Sequence, residues 1–262
     1  MTDNYKFLYN CIDAFPASFC KVEKEEGFIR FNDEEIPDMY DHNYIRMEPE
    51  MDVAACQRII LEEIERRKVQ GSTFCQVHLS SSHQIEGLAQ MEFPIKPDIS
   101  NYVNCITTTP KDLKLVGRAD CMVRRVENSP MAEDRAAIEV EAYGTAYGVD
   151  FCKRKGKVNA KIYMAQEGVD SYVCYVAGNP VGKADLLVHD GWAMIEDFDV
   201  LPSMQRKGIG TAILRVLVDE AMARGAEGIV LVAYADDTAK DMYQKLGFAE
   251  TPGRASLFFD WS

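Results

Sequence analysis

The sequence is poor in the residue patterns that hold metals or disulfides. Its 8 cysteines are scattered through apolar runs without a C-x-x-C pair, and its 4 histidines do not adjoin them at ligand spacing. We therefore expect no zinc site and no other metal site. Isolated thiols of this kind are typical of a reducing compartment, so we expect a cytoplasmic protein.

Long apolar runs are also missing. The longest one, residues 229–235, is far too short to cross a lipid bilayer. The segment at the start of the sequence, residues 1–11, carries charge and lacks a continuous apolar stretch. We therefore expect no signal peptide.

Positive charge is scarce as well. The chain has 29 lysines and arginines against 42 aspartates and glutamates, which gives a net charge of −13. This balance argues against nucleic-acid or membrane partners. It would attract a cationic substrate, although solubility alone also explains it, and an anionic ligand would need a local basic site.

Apolar spacing predicts regular elements along most of the 262 residues, enough for one large domain or two small ones. Before residue 113 the spacing predicts helices at 4–15 and 52–69, a polar loop at 32–41 and a strand at 74–79. After that point it predicts a strand, helices, three antiparallel strands, and then helix, strand, helix, strand. Ser129 is predicted to cap the first of these later helices, since a proline follows it.

Residues 205–211, with the sequence QRKGIGT, stand where the predicted strand at 194–200 meets an amphipathic helix. A helix start leaves backbone N–H groups unpaired, and two glycines here remove side chains that would block them. Arg206 and Lys207 add positive charge beside those groups. The loop therefore predicts a diphosphate site. It lacks the motifs of a P-loop or a dinucleotide fold, and an ordinary glycine turn stays open as the alternative.

A second motif, residues 243–248 with the sequence YQKLGF, falls on a predicted helix near the end of the chain. Together the two motifs and the element order resemble the GNAT superfamily of N-acetyltransferases over residues 105–262. The resemblance implies an α/β (α+β) fold in which a mixed, mostly antiparallel central sheet is flanked by helices. It also implies transfer of an acetyl group from acetyl-CoA to an amine.

The resemblance assigns a set of residues to the cofactor. Backbone groups of the strand before the loop would pair with the pantetheine arm, and the loop with the helix start would hold the diphosphate. The first group comprises Phe198, Asp199 and Val200, and the second comprises Arg206, Lys207, Gly208, Ile209, Gly210 and Thr211. Asp237 stands where family members often carry asparagine. An ionised aspartate can cap the helix there but cannot donate a hydrogen bond to CoA.

Two residues are candidates for proton transfer. The resemblance places Tyr243 where a tyrosine faces the CoA sulfur, as a general acid for the departing thiol, with a purely structural core role as the alternative. Glu196 lies on the strand that leads to the loop and is our candidate base, although a solvated strand end explains it nearly as well. Strand alternation would put Glu196 on one face, and Asp197 and Asp199 on the other.

The N-terminal part of the chain resembles a shortened copy of the same fold. The pattern M-x-F at 91–93 recurs as L-x-F at 246–248, and the strand predicted at 74–79 matches 229–234 at the same separation. We therefore predict a degenerate GNAT-like region at residues 1–104 and a GNAT acetyltransferase domain at 105–262.

The predicted repeat has a consequence for ligand binding. In its register Ala54 and Cys56 replace the two glycines of the diphosphate loop, and Asp52 replaces Arg206. Side chains and a negative charge would then occupy the helix start, so we expect no diphosphate site in the first copy.

The acceptor is predicted to be a primary amine of a small molecule or a peptide. Trp192, Tyr143 and Tyr147 are candidates for lining its pocket, or else are core residues. A non-catalytic acyl-CoA-binding or partner-binding protein is the alternative function, because a degraded copy can serve as an interaction surface. A longer acyl donor is a further option, with Met194 and Met242 able to tune its length. The oligomeric state stays open, with a homodimer as one candidate.

Overall fold

The computed structural model describes residues 3–165 and 168–262, so the first two residues of the segment screened for a signal peptide lie outside it. These residues form two compact units. The first unit comprises residues 3–18, 105–231 and 241–249, and the second comprises 19–104, 232–240 and 250–262. The predicted domain boundary after residue 104 coincides with one of the points where the chain passes between units. As a division into two copies of one fold, it stays a prediction.

Helices and strands occur along the whole described chain. In chain order they are α1 Asp3–Ala17, β1 Lys21–Glu25, β2 Phe28–Asn32, β3 Tyr44–Met47, α2 Val53–Val69, β4 Phe74–Leu79, α3 Ser82–Leu88, β5 Asp98–Thr107, β6 Cys121–Arg125, α4 Ser129–Tyr147, α5 Val149–Ala165, β7 Asp170–Val176, β8 Asn179–His189, β9 Trp192–Val200, α6 Ile209–Ala223, β10 Gly228–Tyr234, α7 Ala239–Leu246 and β11 Ala249–Asp260. Short 3-10 turns occur at Tyr40–His42, Pro110–Asp112 and Pro202–Met204.

The second unit is built on a sheet with the strand order β1-β2-β3-β4-β11-β5. Strands β3 and β4 run parallel and are joined by α2, whereas β1–β2, β2–β3 and β4–β11 are antiparallel. Buried residues of α2, including Ile60 and Ile64, pack on Val77, Leu257 and Phe259 of the sheet. This layer of apolar side chains is the core of the second unit.

The first unit is built on the strand order β10-β9-β8-β7-β6. Strands β6 to β9 pair antiparallel, and β9 pairs with β10 in parallel through the crossover helix α6. The predicted fold class is confirmed as a mixed α/β fold with a mostly antiparallel sheet and flanking helices. Each unit thus holds one parallel strand pair bridged by a helix, which supports the predicted repeat without establishing it.

The helix starts differ in how their N–H groups are satisfied. Asn128, rather than the predicted Ser129, caps α4 by accepting a hydrogen bond from the backbone N–H of Met131 at 3.1 Å. Asp52 caps α2 in the same way through the N–H of Ala55. Gly208 stands at the equivalent position of α6 and has no side chain to offer. Within the described residues no helix is long and apolar enough to span a membrane.

Candidate functional site

A β-bulge interrupts the pairing of β8 with β9. Lys183 is opposite Asp199 and Asp185 is opposite Glu196, so β9 contains an extra residue over this interval. Asp197 lies within the bulge and has φ of 48°, a left-handed conformation that is uncommon for residues other than glycine. Bulges of this kind turn side chains out of the regular alternation of a strand.

The bulge also changes which face Glu196 occupies. Lys183 and Asp185 are two residues apart on β8 and share a face of the sheet, and their directly opposite partners Asp199 and Glu196 share that face with them. Asp197 reaches the same side, since its carboxylate contacts the Lys183 ammonium at 2.6 Å. The prediction that Glu196 and the two aspartates lie on opposite faces is therefore wrong, because it assumed an unbroken strand.

The parallel pairing of β9 with β10 is short. Its register runs from Trp192 opposite Gly228 to Met194 opposite Val230, while β9 itself continues to Val200. Beyond Met194, the edge of β9 that faces β10 has no recorded partner on that strand among the described residues. An extended ligand with amide groups has an unpaired strand edge to bind here, as the resemblance implied for the pantetheine arm.

Apolar side chains lie between this edge and the start of α6. A Cβ placed on Gly210 would stand 3.4 Å from the ring of Phe198 and 3.9 Å from both Val200 and the sulfur of Met242. The second glycine of the loop therefore permits β9 and α7 to approach the first turn of α6 without a side chain in between.

The start of α6 is open toward solvent. Gly208 has φ of 77° and, among the described residues, no side chain caps the helix. Ile209 is buried in the core, whereas Gly210 and Thr211 are half-buried, so these residues bring their backbone N–H groups to a partly accessible surface. Uncapped N–H groups together with the helix dipole are able to bind an anion, which is what the predicted diphosphate site requires.

The basic residues of the loop, Arg206 and Lys207, are exposed, and the loop is held by hydrogen bonds to nearby backbone carbonyls. Arg206 has φ of 58°, and the Lys207 ammonium donates to the carbonyl of Ser203 at 2.8 Å. Gln205 donates from its amide to the carbonyl of Val200 at 3.0 Å, which ties the loop to the end of β9.

Sequence reasoning missed Arg118 as a neighbour of this loop. The backbone N–H of Arg118 donates to the carbonyl of Gly208 at 3.2 Å. Gly117 makes the approach possible, because a Cβ there would stand 2.5 Å from the backbone nitrogen of Ala212 in α6. The Arg118 guanidinium pairs with Asp120 and is partly exposed, so its positive charge is shared with that carboxylate. No local sequence signal connects residues so far apart in the chain.

A buried network of charged groups lies on the face of β9 that carries Asp197 and Asp199. Arg135 bonds Asp185 at 3.0 Å and also contacts Asp197, and the Lys155 ammonium bonds Glu139 at 2.7 Å. Lys183 completes the network and is fully buried. Because removing one partner would leave a buried charge unpaired, the network ties helices α4 and α5 to β8 and β9.

The network fixes the ionisation of its members. Burial disfavours the charged form of Lys183, but Asp197 and Asp199 outweigh it and raise the pKa of the ammonium. Burial likewise opposes ionisation of Asp197, yet Lys155, Lys183 and Arg135 hold its pKa well below the usual range. Burial raises the pKa of Asp185 in spite of the adjacent Arg135. Lys183 and Asp197 are thus an ion pair at neutral pH.

The predicted proton-transfer residues occupy different settings. Tyr243 lies on α7, is 6% exposed, and packs edge-on against Phe248 with 6.0 Å between the ring centroids. Glu196 is half-buried and accepts a hydrogen bond from the N–H of Asp197 at 3.3 Å. Asp237 belongs to the second unit, where its carboxylate accepts from the N–H of Ala239 at 3.1 Å as α7 begins. Asp237 lies two residues before the first residue of α7, and its capping role stays a prediction.

The three aromatic candidates for the acceptor pocket divide into two kinds. Trp192 is 6% exposed and lies against Gly228, so it is a core residue. Tyr143 donates its hydroxyl hydrogen to Asp199, and its ring lies 5.8 Å from that of the exposed Tyr147. These two tyrosines therefore stand near Asp199 of β9.

The geometry described above agrees with a match to a known family. Residues 129–248 match the model of the acetyltransferase (GNAT) family. The matched segment is therefore similar to GNAT acetyltransferases, and it contains the bulged β9, the glycine loop and all of α6 and α7.

Two curated proteins of Bacillus subtilis (strain 168) are similar to part of the chain. The uncharacterized N-acetyltransferase CgeE is 34% identical over 71 residues, which cover 26% of this chain and 27% of that protein. Streptothricin acetyltransferase A is 30% identical over 70 residues, which cover 26% of this chain and 40% of that protein. The matched regions thus span less than half of either relative.

Solved structures extend the likeness of fold beyond the matched segment. A functionally unknown conserved protein from Staphylococcus epidermidis ATCC 12228 has a TM-score of 0.72 at 18% identity, covering 93% of this chain and 95% of that one. A GCN5-related N-acetyltransferase from Kribbella flavida has a TM-score of 0.65 at 17% identity, covering 97% and 93%. At such low identity these comparisons concern the fold alone.

Proposed function

We propose that the protein is an N-acetyltransferase that transfers an acetyl group from acetyl-CoA to a primary amine of a small molecule or peptide. The observation that carries this proposal is the uncapped start of α6, where Gly208 and Gly210 leave backbone N–H groups open beside Arg206 and Lys207. A diphosphate fits this chemistry, because it needs several donors and a positive field at one place. The adjoining edge of β9 suits the amide-containing arm that such a cofactor carries.

Each residue of the site has a role in this proposal. When bound, the thioester supplies an acyl carbon that an amine can attack. Backbone groups of Phe198, Asp199 and Val200 orient the arm, and residues 206–211 hold the diphosphate. Tyr243 would donate a proton to the departing sulfur, which would then leave as the thiol of CoA. Asp237 acts only through the start of α7, because an ionised carboxylate has no proton to donate.

Glu196 is proposed as the base that removes a proton from the amine, directly or through water. A lysine-like amine has a pKa near 10.4, so freeing it of its proton at pH 7 costs about 4–5 kcal/mol, and a base is needed. The net charge of −13 favours a cationic acceptor, whereas Asp197 and Asp199 beside Glu196 are already paired with Lys183.

The test compares binding and turnover with acetyl-CoA and a panel of primary amines. Tyr243→Phe should lower kcat by roughly a hundredfold or more, while the affinity for CoA stays within about twofold, because only the proton donor is lost. Tyr175→Phe is the matched control. Tyr175 lies on the far strand β7, and its hydroxyl donates to the Asp134 carboxylate at 2.7 Å.

The outcomes separate the candidate functions. Unchanged kcat in Tyr243→Phe would remove the tyrosine from the mechanism. Binding of acetyl-CoA without transfer to any amine would favour the non-catalytic acyl-CoA-binding protein, and a preference for longer thioesters would change the donor. If no CoA thioester bound, the whole proposal would fail.

The setting of the reaction is also a proposal. The eight cysteines are free thiols, which supports a reducing, cytoplasmic compartment. We propose that the acceptor is free in solution or part of a peptide, that nucleic acids and membranes take no part, and that a homodimer is compatible with the reaction.

A further inference from the structure

The ammonium of Lys183 lies in a cage of oxygen atoms. It contacts the Asp197 carboxylate at 2.6 Å, the Asp199 carboxylate at 2.7 Å and the Glu139 carboxylate at 3.0 Å. It also donates to the backbone carbonyl of Asp197 at 3.0 Å. Three of these four contacts are made to residues of the β9 bulge, and the side chain is fully buried.

We propose that Lys183 is a positioning residue that holds the bulge of β9 in the conformation that binds the CoA arm. The inference rests on the proposed function, because it concerns the strand edge that the arm would use. Lys183 reaches the arm through the backbone of β9 and takes no part in proton transfer.

The bulge needs such a residue for two reasons. Asp197 has φ of 48°, which costs free energy for any residue with a Cβ. Its carboxylate and that of Asp199 also lie within contact distance of one ammonium, so the two negative charges are brought together. A buried cation between them offsets both the strain and the repulsion.

Loss of the bulge would move the residues that follow it. A strand without the extra residue exchanges its faces beyond that point, because side chains alternate with a period of two. Phe198 and Val200 now lie beside Gly210 at the start of α6. In an unbulged strand they would turn away from α6, and the backbone groups proposed to bind the arm would turn with them.

Lys155 provides a matched control from the same network. Its ammonium contacts Glu139 at 2.7 Å and Asp197 at 3.4 Å, and it is nearly as buried as Lys183. In the described part of the chain its recorded contacts include neither the bulge backbone nor Asp199. Lys155→Met and Lys183→Met therefore remove the same charge from the same cluster, but only the second removes the contacts to the Asp197 carbonyl and to Asp199.

The experiment measures the affinity for two ligands by calorimetry. CoA uses both the helix start and the β9 edge, whereas ADP carries a diphosphate without the arm. In Lys183→Met the Kd for CoA should rise about tenfold or more, while the Kd for ADP changes by less than about twofold. General destabilisation would weaken both ligands alike, so the split between CoA and ADP reports positioning.

Further outcomes decide the matter in each direction. Equal weakening of CoA and ADP, or equal effects of Lys155→Met and Lys183→Met on CoA, would overturn the role of Lys183. If wild-type protein bound ADP but not CoA, the arm site would be wrong. If it bound neither, the proposed function would fail first and the inference with it.

A milder variant covers the case in which Lys183→Met does not fold. Asp199→Asn keeps the side-chain volume and an oxygen toward Lys183, and it leaves the backbone groups of β9 in place. It should raise the Kd for CoA by about threefold with ADP unchanged, because a neutral acceptor holds the ammonium less strongly. Unaltered CoA affinity in this variant would count against the cage as the device that sets the bulge.

Discussion

His78 lies on β4 of the second unit in a setting that opposes its protonation. Its ring stacks on Tyr44 with 4.2 Å between centroids, and its Nε2 lies 2.7 Å from the amide nitrogen of Gln76. Since the amide nitrogen donates, Nε2 must accept and the ring proton is on Nδ1. Burial, with Arg254 and Arg46 nearby, lowers the pKa of His78 to about 3.

The lowered pKa predicts a loss of stability in mild acid. The unfolded state takes up a proton near pH 6.5 and the folded state does not until about pH 3, so stability falls as the pH drops between these values. The slope should be at most about 1.4 kcal/mol per pH unit. Urea unfolding at pH values from 7 to 5 measures this slope, and the slope should be smaller in His78→Gln.

A control for this prediction lies on the neighbouring helix. His83 on α3 is exposed, so His83→Gln should leave the pH dependence as in the wild type. Identical slopes in wild type and His78→Gln would show that the ring of His78 is protonated without cost in the folded protein.

At the scale of elements, α6 has a left-handed glycine at each end. Gly208 precedes the helix with φ of 77°, and Gly225 follows it with φ of 84°. Alanine at either position would be strained by about 1–2 kcal/mol. A Cβ on Gly208 would stand 3.2 Å from the backbone nitrogen of Arg118, whereas one on Gly225 would meet nothing within 4 Å.

A comparison of alanine substitutions at the two glycines therefore distinguishes backbone strain from an effect on ligand binding. Gly208→Ala and Gly225→Ala should lower Tm by similar amounts, but only Gly208→Ala should weaken CoA binding, by about tenfold. The reason is that the added methyl group shifts the N–H groups of the first turn and narrows the space between the loop and Arg118. Thermal melts and calorimetry test the pair together. Equal affinity for CoA in both variants would mean that the diphosphate does not bind at the start of α6.

Elements with a clear apolar period were predictable from the sequence. The strand at Phe74–Leu79 and the helix at Val53–Val69 match the structure closely because each has a distinct buried pattern. Strand β3, Tyr44–Met47, was not predicted. All four of its residues are buried, so no alternation marks it, and Arg46 interrupts the apolar run.

The parts of the site that escaped prediction depend on contacts between distant residues. The glycine loop was recognisable because its chemistry is local to residues 205–211. The bulge at Asp197 is fixed by Lys183 from the neighbouring strand, and Arg118 reaches Gly208 only because Gly117 permits close packing on α6. A pattern read along one strand contains none of this information, which is why Glu196 was predicted to lie on the opposite face from Asp197 and Asp199.

At the scale of the whole molecule, the two units share elements of secondary structure. Strand β5, strand β10 and helix α7 each contribute residues to both units. An element cannot unfold in one unit while staying intact in the other, so we expect one cooperative unfolding transition.

The chain contains two tryptophans, and each unit holds one of them, which gives a direct test of this cooperativity. Trp192 belongs to the first unit and Trp261 to the second. Trp261→Phe leaves a reporter of the first unit, and Trp192→Phe leaves a reporter of the second. Urea unfolding is followed by tryptophan fluorescence in each of these two variants. After the change in stability that each Trp→Phe substitution itself causes is subtracted, the two unfolding midpoints should be the same.

A core substitution in the second unit sharpens the test. Phe259 is fully buried on β11 and packs edge-on against Phe93 at 5.1 Å between centroids, so Phe259→Ala should cost about 3–5 kcal/mol. In a cooperative molecule the transition reported by Trp192 must shift as far as that reported by Trp261. Val69→Ala is the control, because this α2 side chain is 88% exposed and its loss should shift neither transition. A Trp192 transition that stayed in place would mean that the first unit folds alone, in which case CoA binding would survive the loss of the second.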